Sequence, residues 1–273
     1  MPKILNKVFS AAFGAVLLFC TVFRCIQLFF LTDASTGFID HNRTSTIALF
    51  FISCLVLILL IPALLKNKAF KNPFYKFKSR LLFFVSAAAG TAMFYDFVFK
   101  CVNCYYYLTE VSEPRLNYFI PICLAALSAL LCALYFIMMS ISFKTDSYDF
   151  KSFKYYHAVP LIWNLFVLFS VFSDYNDGIY DEEKILHSIV LVFGMLFFIK
   201  LIGCMDSDYK KLRSLGFSGL SYGALCFILS VPRIIVLLFG AELYHADFST
   251  VTYLFMSVFA FALSFRMIKL KEE

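Results

Sequence analysis

Long apolar runs alternate with short polar segments along the chain, and no stretch long enough for a soluble domain remains between them. Each run holds about 17 to 25 residues, the length that an α-helix needs to cross roughly 30 Å of hydrocarbon. The pattern therefore predicts an all-α integral membrane protein of about eight transmembrane helices, with residues 1–273 forming a single transmembrane domain. The predicted spans are 8–31, 46–65, 81–100, 117–143, 156–173, 185–204, 215–240 and 249–267.

Composition supports this fold class. The chain is 62% hydrophobic and only 15% charged, against about 25% charged residues in soluble domains, and its mean hydropathy is +0.82. The first run follows Lys3 and Lys7 but is too long for a signal sequence, contains Arg24 and lacks a small-residue cleavage site. We therefore predict that it is retained as a membrane span.

The distribution of basic residues predicts the orientation. The two terminal segments and the loops 66–80, 144–155 and 200–214 together hold 18 of the 24 Lys and Arg residues. Because basic residues concentrate on the cytoplasmic side, both termini are predicted to be cytoplasmic. Heavy use of Lys, Ile, Phe and Tyr, with no sorting or lipidation motif, favours a bacterial plasma membrane.

The loop 66–80 interleaves basic residues with Phe and Tyr. Such a segment is expected to lie on the anionic lipids of the inner leaflet, each cation contributing about 1 kcal/mol, and nucleic-acid binding is not expected. The basic residues are Lys66, Lys68, Lys71, Lys76, Lys78 and Arg80. Whether a protein subunit also binds this chain stays open.

Polar residues recur in the outer halves of the predicted helices that run outward. Ionisable groups inside a membrane are costly and usually serve a partner or a function. The candidates for an outward-facing intramembrane ligand site are Arg24 and Gln27 in the first span, Asp96 in the third, Trp163 and Asn164 in the fifth, and Ser230 and Arg233 in the seventh.

Two arginines against one carboxylate leave a formal charge of +1, which a small anionic ligand would complete. Two other interpretations stay open. Asp96 can pair with one arginine as a structural strut while the other arginine extends toward the headgroups, or Asp96 can pair with Lys100, four residues further along the same helix.

Small residues predict where helices approach one another closely. Such stretches occur at 86–92 and 125–133, and Gly219 with Gly223 forms a GxxxG pattern in the seventh span. These patterns place small faces on the third, fourth and seventh helices.

Cys101 and Cys104 form a CxxC motif just beyond the third span, the only cysteines of nine predicted to lie where redox chemistry is possible. The motif resembles the first cysteine pair of the disulfide-generating quinone reductases of bacterial membranes. The resemblance covers only these four residues, and those enzymes also need a second cysteine pair in an outer loop. A structural disulfide, two free thiols and thiol exchange all stay open for this pair.

His41, His187 and His245 are predicted on the outer side without a metal-binding spacing, so no metal is expected. No P-loop, GxGxxG or HExxH motif occurs, and no cofactor is expected. Three functional classes remain: a protein that binds a small ligand for transport or sensing, which is favoured; a membrane-embedded enzyme acting on thiol or lipid-linked substrates at the outer face; and a structural or assembly subunit.

Overall fold

The computed structural model describes most of the chain, and the account below concerns those residues. They are 2–32, 44–66, 68–70, 79–110, 116–145, 154–173, 182–204, 209–239 and 249–270.

The described residues form eight α-helices and two short strands. The helices are α1 (Pro2–Phe30), α2 (Thr44–Leu65), α3 (Arg80–Glu110), α4 (Leu116–Thr145), α5 (Val159–Ser173), α6 (Glu182–Gly203), α7 (Tyr209–Leu238) and α8 (Ser249–Met267). The strands are β1 (Lys68–Phe70) and β2 (Ile268–Leu270), and a 3₁₀ turn, Lys154–Ala158, precedes α5. All eight helices are long and apolar enough to cross a membrane, so the all-α prediction is confirmed and the fold is consistent with a multi-pass membrane protein.

The third helix differs most from its predicted span. It was expected to end at Lys100, but α3 continues to Glu110. Residues 101–110 contain neither Gly nor Pro, so nothing in the backbone stops the helix when the apolar run ends. Hydropathy marks where a helix leaves the hydrocarbon, whereas the helix itself continues until its backbone is interrupted.

The chain divides into two compact units, which are described separately. Unit 1 comprises 1–71 and 212–273, and unit 2 comprises 72–211. Unit 1 therefore holds α1, α2, almost all of α7, α8 and both strands, and unit 2 holds α3 to α6. The single transmembrane domain stays a prediction.

In unit 2, α3 and α4 form an antiparallel hairpin that is in contact at both ends. The Ser79 amide donates to the Phe143 carbonyl (3.2 Å) near one end, and the Tyr107 and Phe119 rings stack (6.5 Å between centroids) near the other. Between them Gly90 lies so close to α4 that an added Cβ would be 3.2 Å from the carbonyl oxygen of Ala133. The predicted small faces of α3 and α4 are thus confirmed as a packing surface.

In unit 1, α7 packs against α8 at Gly223. The Ser257 hydroxyl donates to the Gly223 carbonyl oxygen (2.7 Å), and a Cβ on Gly223 would be 3.0 Å from the Phe261 ring. A side chain larger than hydrogen at this position would require the Phe261 ring to shift or the two helices to move apart. The packing role predicted for the GxxxG pattern is therefore confirmed at Gly223.

A two-stranded antiparallel ladder joins the segments that follow α2 and α8. Lys68 pairs with Leu270 and Phe70 pairs with Ile268. Because β1 begins three residues after α2 ends and β2 follows α8 directly, the C-terminal ends of α2 and α8 lie on the same side of unit 1. This agrees with an even number of membrane crossings between them.

Candidate intramembrane polar site

The seven predicted ligand-binding residues fall in both units. Asp96, Trp163 and Asn164 belong to unit 2, and the others to unit 1, namely Arg24, Gln27, Ser230 and Arg233. The two groups are described in turn, and the single site that unites them stays a prediction.

Asp96 is the centre of the group in unit 2. Its side chain is fully buried, and one carboxylate oxygen accepts a hydrogen bond from the Lys100 ammonium in an i,i+4 ion pair. The other oxygen accepts a hydrogen bond from the indole nitrogen of Trp163, with a distance of 3.3 Å between the two atoms. The carboxylate thus links α3 to α5 and has a counter-charge on its own helix.

This arrangement matches the interpretation in which Lys100 is the partner of Asp96. The lysine side chain is 11% exposed and the carboxylate is 0% exposed, so the pair lies in a region of low dielectric constant where each charge depends on the other. The excess positive charge that suggested an anionic ligand is therefore not a property of unit 2, where the pair is neutral.

The position of Asp96 along its helix also differs from the expectation. The predicted span placed this residue about five residues below the outer boundary, whereas α3 extends about 14 residues beyond it, or about 21 Å at 1.5 Å per residue. Asp96 thus lies near the middle of α3. The depth that the sequence predicts for Asp96 and the two arginines was counted from the predicted membrane boundaries, so their common depth stays a prediction.

Asn164 lies next to Trp163 on α5 and is fully buried. Its side-chain nitrogen donates to the Pro160 carbonyl oxygen at 2.7 Å. Because a carbonyl can only accept, the amide nitrogen must face Pro160 and the oxygen must face the other way. That buried oxygen, Oδ1, accepts no hydrogen bond from any residue in the described part of the chain.

In unit 1 the side chain of Arg24 is held inside the protein. One guanidinium nitrogen donates to the Gln27 side-chain oxygen at 3.0 Å, and the guanidinium carbon lies 5.3 Å from the centre of the Phe50 ring. Gln27 in turn donates to the Thr46 carbonyl oxygen at 3.3 Å. Arg24 is only 3% exposed, so it does not extend toward the headgroups and instead joins α1 to α2.

The α7 residues lie at a level similar to that of Arg24. The Phe29 and Phe239 rings, 6.1 Å apart, bring the ends of α1 and α7 together. Arg24 and Arg233 lie about 7.5 and 9 Å below these rings at 1.5 Å per residue, so their predicted common depth agrees with this contact. The Ser230 hydroxyl donates to the Cys226 carbonyl of its own helix at 2.7 Å, which leaves it only as an acceptor.

Two side-chain pairs in unit 2 escaped sequence reasoning. In the first, the Nδ1 of His157 lies 2.6 Å from the Tyr135 hydroxyl, and both side chains are buried. Tyr135 is about ten residues before the end of α4, so along the helix axis this pair lies about 15 Å from that end. The other pair is Cys104 and Cys123, whose sulfur atoms are 3.7 Å apart.

No group of three or more His, Cys, Asp or Glu residues within the described ranges is placed to hold a metal ion. Of the three outer histidines, His187 lies half-buried on α6, while His41 and His245 lie outside the described residues.

No protein-family model matches the chain, and searches of curated proteins and of solved structures found no significant match. The fold and the buried polar groups therefore define the class of this protein by themselves: an all-α protein of multi-pass membrane type with charged side chains inside its helical units.

Proposed function

We propose that this chain is a multi-pass membrane protein that binds a small ligand bearing a hydrogen-bond donor, beside Trp163 and Asn164 in unit 2, as a permease-like or sensing component. The observation that carries the proposal is the buried Asn164 Oδ1, which accepts no hydrogen bond from the described residues. A buried acceptor without a donor costs about 1–3 kcal/mol, so retaining it for packing alone is unfavourable.

The surrounding chemistry supports a donor as the group that binds. Lys100 and Trp163 each donate to one oxygen of Asp96, beside Asn164. A ligand with an ammonium or hydroxyl group has the donor that the buried Asn164 oxygen can accept. Charged and polar groups near the middle of membrane helices are typical of transporter binding sites.

The proposal includes the predicted topology, with both termini in the cytoplasm and the α3–α4 turn outside a plasma membrane. Among the six basic residues proposed to contact anionic lipids, Lys66 and Arg80 are exposed at the ends of α2 and α3. Lys68 lies on β1, and Lys71, Lys76 and Lys78 lie outside the described residues. The ladder between β1 and β2 supports a common side for this segment and the C-terminal end of α8.

Trp163 provides a direct test because it is the only tryptophan in the chain. The purified protein is titrated with ethanolamine, glycerol and succinate, which represent a cationic donor, a neutral donor and an organic anion, while tryptophan emission is recorded. We expect a saturable change with ethanolamine or glycerol and none with succinate, because the buried Asn164 oxygen is an acceptor and binds only a donor.

The matched variants are Asn164→Leu and Asn103→Leu, the second at an exposed asparagine of α3 in the same unit. We expect the response to disappear in the first and to persist in the second. Saturable binding of succinate alone would instead support the anionic ligand expected from the sequence. If no probe changes the emission and Asn164→Leu stabilises the protein, the site has no ligand and the proposal is wrong.

A further inference from the structure

We propose that Cys104 and Cys123 form a redox-active dithiol that joins the outer ends of α3 and α4 through thiol–disulfide exchange with a disulfide-bearing substrate. This is separate from the ligand site proposed above and does not depend on it. The observation behind it is the distance of 3.7 Å between the two sulfur atoms, one from each helix of the hairpin.

The geometry favours this pair over the CxxC pair. Cys101 and Cys104 both lie on the continuous helix α3, and residues three apart on a helix have Cβ atoms about 5–6 Å apart. A disulfide needs a Cβ separation of about 3.5–4.5 Å, so the CxxC pair cannot bridge unless the helix is distorted. Cys104 and Cys123 already touch across the interface between two helices, where side-chain rotation can close the gap.

The packing around the pair holds it in place. One turn beyond Cys104 and one turn before Cys123, the Tyr107 and Phe119 rings stack with their centroids 6.5 Å apart. This contact fixes the register of the two helices on the turn side of the cysteines. The sulfur contact is therefore part of an ordered hairpin end.

The pair is also placed where an aqueous disulfide can reach it. Trp163 contacts Asp96, and α5 ends ten residues beyond Trp163, at Ser173. Cys104 is eight residues beyond Asp96 on α3, so its level is within about 3 Å of the end of α5 at 1.5 Å per residue. The side chains of both cysteines are only half-buried, so the protein itself does not enclose either sulfur atom.

The exchange is balanced as follows. One of the two thiols, as thiolate, attacks a sulfur of the substrate disulfide, forms a mixed disulfide and releases the first substrate thiol. The second thiolate then attacks the protein sulfur of that mixed disulfide, forms the Cys104–Cys123 bond and releases the second substrate thiol. The protein loses two electrons and two protons, and the substrate disulfide is reduced to two thiols. The predicted outer location agrees with an oxidising compartment, where disulfides persist.

The test uses the purified full chain with oxidised glutathione as the substrate, followed by alkylation of remaining thiols, trypsin digestion and mass spectrometry. Cleavage after Lys100, Arg115 and Lys144 places Cys101 and Cys104 on one peptide and Cys123 and Cys132 on the next. We expect a reducible link between these two peptides, which fragmentation assigns to Cys104 and Cys123.

Three variants make the assignment decisive. The link should persist in Cys101→Ser, the control variant, because Cys101 is exposed on the same helix and is not part of the pair. It should disappear in Cys104→Ser and in Cys123→Ser. Each of these two variants should retain glutathione on the remaining cysteine of the pair. A link within the 101–115 peptide, a link that uses Cys101 or Cys132, or stable glutathione adducts on both Cys104 and Cys123 in the unmodified protein would each overturn the proposal.

Discussion

Asp96 is the most informative residue in the chain, because its side-chain partners show which polar groups of unit 2 meet. The sequence offered it an arginine from another helix or Lys100 from its own, and the contact in unit 2 is with Lys100 and Trp163. An ion pair within one helix can persist whatever the neighbouring helices do. The pair therefore supplies Asp96 with a counter-charge inside unit 2.

Neutralising only one member of the Asp96–Lys100 pair is expected to lower the stability of the protein more than neutralising both. Lys100→Gln leaves a fully buried carboxylate without its ammonium, which costs about 3–5 kcal/mol. The double variant Asp96→Asn, Lys100→Gln removes both charges and should recover most of that loss. Unfolding in detergent measures the difference, with Lys200→Gln at an exposed position of α6 as the control. If the double variant is as unstable as Lys100→Gln, the pair is not coupled.

At the scale of helices, close approach is governed by glycines whose positions the sequence did mark. Gly90 faces α4, where a Cβ would be 3.1 Å from the Ile137 side chain and 3.2 Å from the Ala133 carbonyl oxygen. The Ala133 carbonyl belongs to the backbone of α4, so it cannot move aside as the end of a flexible side chain can. Gly14, by contrast, has no atom within 4 Å of an added Cβ.

We therefore expect Gly90→Ala and Gly14→Ala to change stability in opposite directions. The first forces α3 and α4 apart and should cost about 1–3 kcal/mol, the usual cost of overpacking. The second replaces glycine by a better helix former at an open position and should be neutral or stabilising by up to about 1 kcal/mol. Thermal unfolding of the two variants in the same detergent makes the comparison, and equal effects would show that the α3–α4 contact does not limit the side chain at Gly90.

At the scale of the molecule, the chain forms two four-helix units, and unit 2 is inserted in the sequence between the two parts of unit 1. Unit 2 is one continuous segment, 72–211, while unit 1 is assembled from both ends of the chain. The ladder between β1 and β2 connects those two parts of unit 1. The orientation of both units follows from the basic residues and stays a prediction.

Reporter fusions test that orientation. A fluorescent protein that matures only in the cytoplasm should fluoresce when fused after Glu273, because the basic residues near the C-terminus favour the cytoplasmic side. The same reporter inserted after Thr109 should stay dark, and alkaline phosphatase, which is active only outside, should give the reverse pattern. Fluorescence at both positions would contradict an odd number of crossings between them.

The sequence by itself determined the eight helices and the small faces of α3, α4 and α7 that allow close packing. Apolar length and the positions of small residues are local properties, and they act before any helix has met its neighbour. For the same reason the third span was predicted to end at Lys100 while α3 continues to Glu110, since hydropathy records the membrane boundary and not the end of the hydrogen-bonded backbone.

Only the tertiary structure decided which polar side chains meet. The Trp163 bond to Asp96, the Tyr135 bond to His157 and the contact between Cys104 and Cys123 each join different helices. Such contacts depend on the rotation and register of one helix against another, which many weak packing contacts fix together. A helical period in the sequence states which face a residue occupies, but it carries no information about the helix that this face will meet.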